Sequence, residues 1–243
     1  MANQRVYPEL PNNEFLVYDE REPCPYLPNE IARMPLRYFA GPGPLDLDKA
    51  LDKGDRRAGQ LLYRPTCPTC NACQAIRIPV DEFRPSRSQS RCWAKNQDLE
   101  VSVGSATFSE DRLHLYNRHK IERGLGTAVM DREHYEGWFL RTNTVTLELS
   151  LWYNQRLIGL TILDVGKTST SAVYGFFDPD LHHRSLGVFM VLASLAWAKQ
   201  HGMKYHYLGL YIAQNAHVSY KANYLPHERR IENQWHRFDK SVG

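Results

Sequence analysis

Three cysteines are evenly spaced in the segment YRPTCPTCNACQAIRI, residues 63 to 78, of a chain that has five cysteines in all. Cys67, Cys70 and Cys73 follow the pattern C-x2-C-x2-C, in which two thiolates two residues apart face one ion through a tight turn. This spacing indicates zinc or an iron–sulfur cluster, although Arg77 stands where a ferredoxin run has its fourth cysteine. The alternative is a reduced group that only packs in a loop. The predicted metal ligands are Cys24, Cys67, Cys70 and Cys73.

A basic stretch follows the cysteines. Between Arg77 and Lys95 it has five basic and two acidic side chains, so its excess equals the net charge of the whole chain, +3. Arg84, Arg87 and Arg91 recur among serines, and a guanidinium binds phosphate through two parallel hydrogen bonds. The stretch predicts a defined anionic partner, such as nucleic-acid phosphates; the alternative is a solvated surface.

Tyrosines form a second group that favours ligand binding. The chain has fourteen of them, and tyrosine combines apolar area with a polar tip. In the predicted strand KYHYLGLYI, alternation places Tyr205, Tyr207 and Tyr211 on one side, with Gly209 among them. A glycine there leaves room for a ligand to approach the backbone. The alternative is an ordinary core or sheet face.

The loop DPDLHHRSLG, residues 178 to 187, precedes a helix and is a third candidate site. Backbone N–H groups at such a helix start bind anions, as in the coenzyme A loop of acetyltransferases. Arg184 and Gly187 match that loop, but the bulky Phe189 occupies a position that usually has glycine or alanine. The loop therefore disfavours acetyl-CoA. Motifs for a covalent serine nucleophile, a P-loop or a dinucleotide site are not found in the sequence.

The order of predicted elements indicates an α+β fold. Three strands are predicted, in VTLELSLW, where apolar and polar residues alternate, in RLIGLTILDV and in TSAVYGFF. An apolar helix over residues 186–198 and a strand near residue 205 follow. This order is that of the second part of an N-acetyltransferase-like (GNAT) fold. A helix is also predicted between Ser109, as N-cap, and Gly124.

Composition sets the class of protein. Apolar residues are 42% and charged residues 23% of 243, as in soluble globular proteins. The start, MANQRVYPEL, has no apolar signal segment, and the apolar run of residues 186–198 is shorter than the roughly 18 residues of a membrane span. We therefore expect a cytoplasmic protein with reduced cysteines and no membrane partner. The expected regions are residues 1–105, with the cysteines, and residues 106–243.

The chain resembles the aminoacyl-tRNA–protein transferases, and is most similar to the bacterial leucyltransferases. The resemblance rests on CPYLP (24–28), the block of residues 59–91, LYNRH (115–119), YGFFDPD with the following SLG, and YLGLYI with the later YK and PHE. Two positions depart from the family pattern, Asn215 and Val218, where it has cysteine and methionine.

The resemblance implies a function. It implies two GNAT-like units, the second better formed and without acetyl-CoA. Their activity is transfer of an amino acid, leucine in the closest pattern, from aminoacyl-tRNA to an N-terminal Asp or Glu of acceptor proteins, which marks them for degradation. The aminoacyl ester is already activated, so the acceptor amine attacks it without ATP, a protein nucleophile or a required cofactor.

The alternatives to this function are a non-catalytic RNA-binding module with a cysteine metal knuckle, and an ordinary GNAT acetyltransferase.

Site residues are assigned on the same basis as the function. The assigned catalytic residues are Tyr174, Tyr211 and Tyr220; the substrate-binding residues are Arg77, Arg84, Arg87, Lys221 and Glu228; the tRNA-binding residues are Arg87, Arg91, Lys95 and Arg184.

Overall fold

The computed structural model describes residues 14–40 and 45–240. Strands dominate the first part of the chain, because prolines remove the backbone donors that a helix needs. Four of these strands form a small sheet in the order β1-β4-β6-β5, and β2 and β3 form a separate hairpin. Their bounds are β1 Glu14–Tyr18, β2 Arg21–Pro23, β3 Ile31–Arg33, β4 Leu36–Phe39, β5 Arg56–Ala58 and β6 Leu61–Tyr63.

Eight strands form the large mixed sheet. Their order is β14-β13-β7-β12-β11-β10-β9-β8, and only β11 and β12 are parallel neighbours. The bounds are β7 Gln74–Pro79, β8 Glu100–Ser105, β9 Val145–Tyr153, β10 Arg156–Val165, β11 Ser169–Phe177, β12 Tyr205–Tyr211, β13 His227–Ile231 and β14 Gln234–Phe238.

Helices cover both faces of the large sheet. The long apolar helix α5 packs on one face with α2, and α3 packs on the other against β10 and β11. Each face of α5 is apolar because it touches both the sheet and α2. The bounds are α1 Leu47–Asp52, α2 Arg87–Lys95, α3 Glu110–Glu122, α4 Arg132–Tyr135, α5 Leu186–Gln200 and α6 Ala216–Ser219, with a π-helical turn at Glu136–Leu140 and 3-10 turns at Pro179–Arg184 and Tyr220–Asn223.

Local signals in the sequence explain the main elements. Ser109 accepts a hydrogen bond from Arg112 N and starts α3, and Gly124, with φ of +66°, follows its end. Asn154 and Gln155 both have positive φ, which closes a tight hairpin between β9 and β10. The predicted α+β class is confirmed by this mixed sheet with helices on both faces.

The predicted boundary between residues 105 and 106 does not separate two sheets. β7 lies between β12 and β13, and β8 forms an edge of the same sheet, so strands from both predicted regions share it. The small sheet is joined to it by a buried ion pair, in which Arg57 donates to Asp164 at 2.6 and 3.0 Å. In the described part of the chain, no helix is long and apolar enough to cross a membrane.

Candidate functional site

The neighbouring strands β11 and β12 separate partway along their length. Only Ser169–Ser171 of β11 pair with Tyr205–Tyr207 of β12, although β11 continues to Phe177 and β12 to Tyr211. A bulge lies just beyond the last pair on each strand, at Val173 against β10 and at Leu208 against β7. Bulges bend strands and increase their twist. The two strands therefore diverge and leave an opening in the middle of the sheet, which we call the β11–β12 split.

The end of β11 is held by side chains from outside the sheet. Phe177 N donates to Nδ1 of His119, on α3, at 3.1 Å. Burial lowers the pKa of His119 to about 4, so the ring is neutral near pH 7, and the same Nδ1 lies 3.0 Å from Phe177 O. Asp178 is fully buried and accepts from Arg118 at 3.4 Å and from Arg156. One wall of the split is therefore rigid.

Aromatic side chains surround Tyr174 near this wall. Its ring centroid lies 5.6 Å from that of Tyr116 and 5.8 Å from that of Phe139. Burial raises the pKa of Tyr174, and the charge of Arg123 partly opposes that shift. Burial and then Tyr174 raise the pKa of Tyr116 to about 12. Both hydroxyl groups therefore keep their protons at neutral pH and act as hydrogen-bond donors.

Tyr220 lies near Arg123 as well. The side chain follows α6 and is 40% exposed, with its ring 6.5 Å from that of Tyr224. Loss of hydration raises the pKa of Tyr220, and Arg123 opposes the shift, as it does for Tyr174. The positive charge of Arg123 therefore acts on both of the predicted tyrosines Tyr174 and Tyr220.

Tyr211 lies elsewhere, because the bulge at Leu208 breaks the alternation of β12. Tyr211 is 7% exposed and packs with Leu208 in the core, and the guanidinium of Arg229 lies 4.6 Å from its ring centroid. Tyr205 and Tyr207 pack on another cluster. The predicted row of three tyrosines on one side of β12 is therefore wrong, and Tyr211 does not share the surroundings of the other two.

Lys221 stands at the end of β12. Its Nζ donates to the carbonyl oxygen of Leu210 at 2.8 Å. Burial, and then the positive charge of Arg56, lower the pKa of Lys221 to about 7. A proton therefore binds to or leaves this lysine near neutral pH, which is unusual for an amine of this type.

Arg77 and Glu228 are bound to each other instead of facing a cavity. Arg77 is 7% exposed, and its Nε donates to Glu228 at 2.7 Å while Nη1 donates to Asp52 at 2.9 Å. The guanidinium lies 3.9 Å from the ring centroids of both Tyr205 and Trp235. These contacts satisfy the guanidinium internally, so Arg77 and Glu228 are not available to bind a substrate in this structure.

The basic residues of α2 are exposed to solvent. Ser86 caps the helix in a capping box with Gln89. Arg87 and Arg91 are both exposed and lie on the same outer face, since residues four apart are neighbours on a helix. Arg84, also exposed, donates to two backbone carbonyls at 2.8 Å. Of the arginines predicted to bind phosphate, Arg87 and Arg91 therefore lie together on α2, whereas Arg84 lies just before this helix.

Lys95 and Arg184 have internal partners. Lys95 Nζ donates to His183 O at 2.6 Å. Arg184 makes two parallel hydrogen bonds of 2.9 Å to Asp98, and lies over the ring of Tyr153. Arg184 therefore fixes the loop before α5 to the end of α2, and its guanidinium is already occupied.

The cysteines near the small sheet are neighbours but do not form a metal site as arranged. Cys67, Cys70 and Cys73 line a pocket of about 320 Å³. Burial raises the pKa of Cys73 to about 12, and nearby Cys67, Cys24 and Cys70 add to that shift. Among residues 14–40 and 45–240, no group of three or more His, Cys, Asp or Glu side chains is placed to hold a metal ion. The side chains do not fit zinc or a cluster in this arrangement, and the metal assignment stays a prediction.

Sequence reasoning missed two arginines of the site. Arg123 is the residue after α3, and Arg56 starts β5, so neither lies in the basic stretch. Arg56 comes to β12 only through the packing of the small sheet on the large one. The two adjacent arginines of this short strand carry no local signal of this contact.

Family models and solved structures were compared with the chain. Residues 22–91 match the model "Arginine-tRNA-protein transferase, N terminus", and residues 111–231 match "Arginine-tRNA-protein transferase, C terminus". Among solved structures, FemX has a TM-score of 0.45 at 8% identity, with 79% of each chain covered. The C-terminal domain of a putative lysylphosphatidylglycerol synthetase from Agrobacterium fabrum has a TM-score of 0.45 at 11% identity, covering 70% of this chain and 53% of that one.

Curated relatives match most of the chain. An aspartate/glutamate leucyltransferase of Stenotrophomonas maltophilia (strain R551-3) is 38% identical, over 90% of this chain and 91% of its own. Those of Saccharophagus degradans and Acinetobacter baumannii (strain AYE) are 39% and 35% identical, over 89% and 90% of this chain and 93% and 82% of theirs. Identity at this level along nearly the whole length makes the chain a member of the aspartate/glutamate leucyltransferases, within the aminoacyl-tRNA–protein transferase family.

Proposed function

We propose that this protein transfers leucine from leucyl-tRNA to the α-amine of acceptor proteins that begin with Asp or Glu, at the β11–β12 split. The observation that carries the proposal is the β11–β12 split, with Tyr174 on the unpaired part of β11 and Lys221 bonded to Leu210 near the end of β12. The charge of Arg123 acts on both Tyr174 and Tyr220. The names of the relatives supply the donor and the acceptors. The consequence for the modified proteins is degradation.

The reaction needs alignment more than activation. The neutral α-amine attacks the carbonyl carbon of the aminoacyl ester, a C–N bond forms, the ester C–O bond breaks, and tRNA leaves with its ribose hydroxyl. The amine loses a proton, which the ribose oxygen takes up. An α-amine has a pKa of about 8, so a sizeable neutral fraction exists near pH 7. Positioning of two reactants contributes up to roughly 7–11 kcal/mol in ideal cases.

The side chains at the split have separate roles in this proposal. Tyr174 and Tyr220 keep their protons and donate to the oxygen that gains negative charge during attack. Arg123 adds a positive charge beside both hydroxyls. The unpaired backbone of β11 beyond Ser171 forms hydrogen bonds with the acceptor peptide, as an added strand does.

The donor tRNA lies across α2 in this proposal. Arg87 and Arg91 are exposed on one face of α2, and such guanidinium groups contact phosphates without reading sequence. The helix packs on α5, which leads back to the split. The acceptor stem of the tRNA therefore follows α2 toward the opening, and the ester at its end reaches Tyr220. Both substrates belong to the cytoplasm, where we place the activity.

The test is transfer of a labelled amino acid. Purified protein is incubated with tRNA charged with labelled leucine or arginine, or with labelled acetyl-CoA, and with peptides that begin with Asp, Glu or Met. The proposal predicts label on the Asp and Glu peptides from leucyl-tRNA alone and without ATP. Transfer from arginyl-tRNA would show that arginine, not leucine, is the donated residue. Transfer from acetyl-CoA, or no transfer from any of the three donors, would overturn the proposal.

A further inference from the structure

We infer that Arg56, together with Lys221, binds the side-chain carboxylate of the acceptor's first residue and so selects Asp and Glu. The inference rests on the proposed function and names the groups that set its acceptor specificity. Arg56 comes from the small sheet, whereas Lys221 follows β12 in the second half of the chain. The carboxylate pocket is therefore formed by both parts of the protein.

The guanidinium of Arg56 lies close to the backbone of β12 at Gly209. A Cβ atom added to Gly209 would stand 1.6 Å from Nη1 and 2.4 Å from Cζ of Arg56, so a glycine is required for this approach. Gly209 has a φ of +84°, which L-residues with a side chain rarely adopt. The strand thus opens a space at Gly209, and the guanidinium fills it.

Lys221 is bound to the next residue of the same strand. Its Nζ donates to Leu210 O at 2.8 Å, while the guanidinium of Arg56 lies at Gly209. Two positive groups from distant parts of the chain therefore converge on consecutive residues at the end of β12. The positive charge of Arg56 lowers the pKa of Lys221, as expected for two basic groups that lie close together.

The two cations have no counter-ion in the part of the chain that the structure describes. Neither forms a salt bridge there, and Nη1 of Arg56 is inaccessible to solvent without a hydrogen-bond partner. The buried arginines Arg57 and Arg77 differ, because each has a carboxylate at 2.6 or 2.7 Å. Burying a guanidinium nitrogen without a hydrogen-bond partner is costly, and a negative group from a ligand would supply that partner to Nη1 of Arg56.

The surroundings favour one carboxylate over the phosphates of tRNA. Tyr26 lies near Arg56 and is half-buried, and Asn215, before α6, donates to Tyr26 O at 2.8 Å. The basic surface of α2 is open to solvent, whereas Nη1 of Arg56 is inaccessible to it. A guanidinium fork matches the two oxygens of a carboxylate, and Lys221 supplies a further charge once it binds a proton.

The test compares acidic and neutral first residues. Arg56→Gln, Arg56→Lys and Lys221→Met are compared with the wild type and with Arg21→Gln, which removes one exposed charge from the same region. Peptides beginning with Asp, Glu, Asn or Gln are used in two assays. One measures kcat/KM for leucine transfer, and the other measures peptide binding without tRNA by fluorescence anisotropy.

The expected result is a loss of discrimination. Arg56→Gln should lower kcat/KM and affinity for Asp and Glu peptides by about 10- to 100-fold, as expected for a lost hydrogen bond to a charged group. The values for Asn and Gln peptides should stay within about twofold. Arg56→Lys, which keeps the charge and loses the fork, and Lys221→Met should give smaller losses of the same kind, and Arg21→Gln none.

The inference is overturned if Arg56→Gln and Lys221→Met keep the wild-type preference for acidic peptides, or if both peptide classes weaken equally in all three variants. If Arg56→Gln does not fold, Arg56→Lys and Lys221→Met decide by the same criterion. Wild-type protein that prefers acidic peptides in the binding assay but transfers no leucine overturns the proposed function and leaves this inference intact.

Discussion

Arg57 and Asp164 connect the two sheets through a buried, two-bonded ion pair, with Nε–Oδ2 at 2.6 Å and Nη2–Oδ1 at 3.0 Å. A third bond, from Arg57 Nη1 to Trp138 O, measures 3.0 Å. Arg57 is the neighbour of Arg56 in β5, and successive side chains of a strand point to opposite sides. The pair that fixes the small sheet thereby also fixes Arg56 at β12.

Removal of this pair should therefore unfold the protein more easily. Arg57→Met leaves the buried Asp164 carboxylate without this cation, although the Thr146 hydroxyl still donates to it at 2.8 Å, and we expect the free energy of unfolding to fall by about 3–5 kcal/mol. Urea unfolding followed by circular dichroism measures it. Arg57→Met with Asp164→Leu should lose less than the single variant, because no charge is left buried. A loss below about 1 kcal/mol in the single variant would contradict a structural role for the pair.

A methyl group at Gly209 should disturb the acceptor pocket. Gly209→Ala forces a side chain into φ of +84° and into the space of the Arg56 guanidinium. We expect a loss of about 1–3 kcal/mol in stability and a selective loss of transfer to peptides that begin with Asp. Gly104→Ala is the matched control, since nothing lies within 4 Å of its added Cβ. Equal behaviour of the two variants would contradict the close contact between Gly209 and Arg56.

The exposed face of α2 should set the salt dependence of tRNA binding. Arg87→Gln with Arg91→Gln removes two proposed phosphate contacts, so the slope of log K against log salt should become shallower by about 2. Filter binding at several KCl concentrations measures the slope. The control Arg132→Gln with Arg237→Gln removes the same charge from exposed residues elsewhere. An unchanged slope in the α2 variant, or an equal change in the control, would remove α2 from the tRNA site.

Acid should destabilise the fold through its buried histidines. Burial lowers the pKa of His206 to about 4, and its Nδ1 lies 2.7 Å from Thr170 Oγ1. The unfolded chain binds a proton to this histidine near pH 6.5 and the folded chain only near pH 4. Stability should therefore fall as the pH drops from 6.5 toward 4, by at most about 1.4 kcal/mol per pH unit for one histidine.

His206→Gln removes this titration, and His119 retains its own, since its pKa is also about 4. The variant should show a smaller loss of stability between pH 6.5 and 4 than the wild type, measured by urea unfolding at a series of pH values. His201→Gln, at an exposed position on the surface, is the control. A pH profile in His206→Gln that runs parallel to the wild type would contradict the buried neutral state.

Much of the large sheet was predictable, because its signals are local. The strands β9, β10 and β11 follow apolar alternation with turns at Asn154 and Gly166, and α3 begins at Ser109 and ends before Gly124. The aminoacyltransferase class, predicted from the resemblance, is confirmed by the family to which the chain belongs. The predictions that cover residues 1–13, 41–44 and 241–243 concern parts of the chain outside the described residues.

The site itself was harder to predict, because it depends on contacts between distant segments. The bulge at Leu208 changes which side of β12 carries Tyr211, and a bulge has no reliable sequence signature. Arg77 is bound by Glu228 only because β13 pairs with β7, a contact across 151 positions. The proposed role of Arg56 depends on the same kind of distant packing.

The most direct test of the central claim is a crystal structure with a stable analogue of the donor end, 3′-leucylamido-adenosine, in which an amide replaces the ester. The leucyl carbonyl is predicted to lie between β11 and β12 beyond Ser171 and Tyr207, within hydrogen-bond distance of the Tyr174 or Tyr220 hydroxyl. An analogue bound instead in the pocket of Cys67 and Cys70, or on the face of the sheet away from this opening, would contradict the claim.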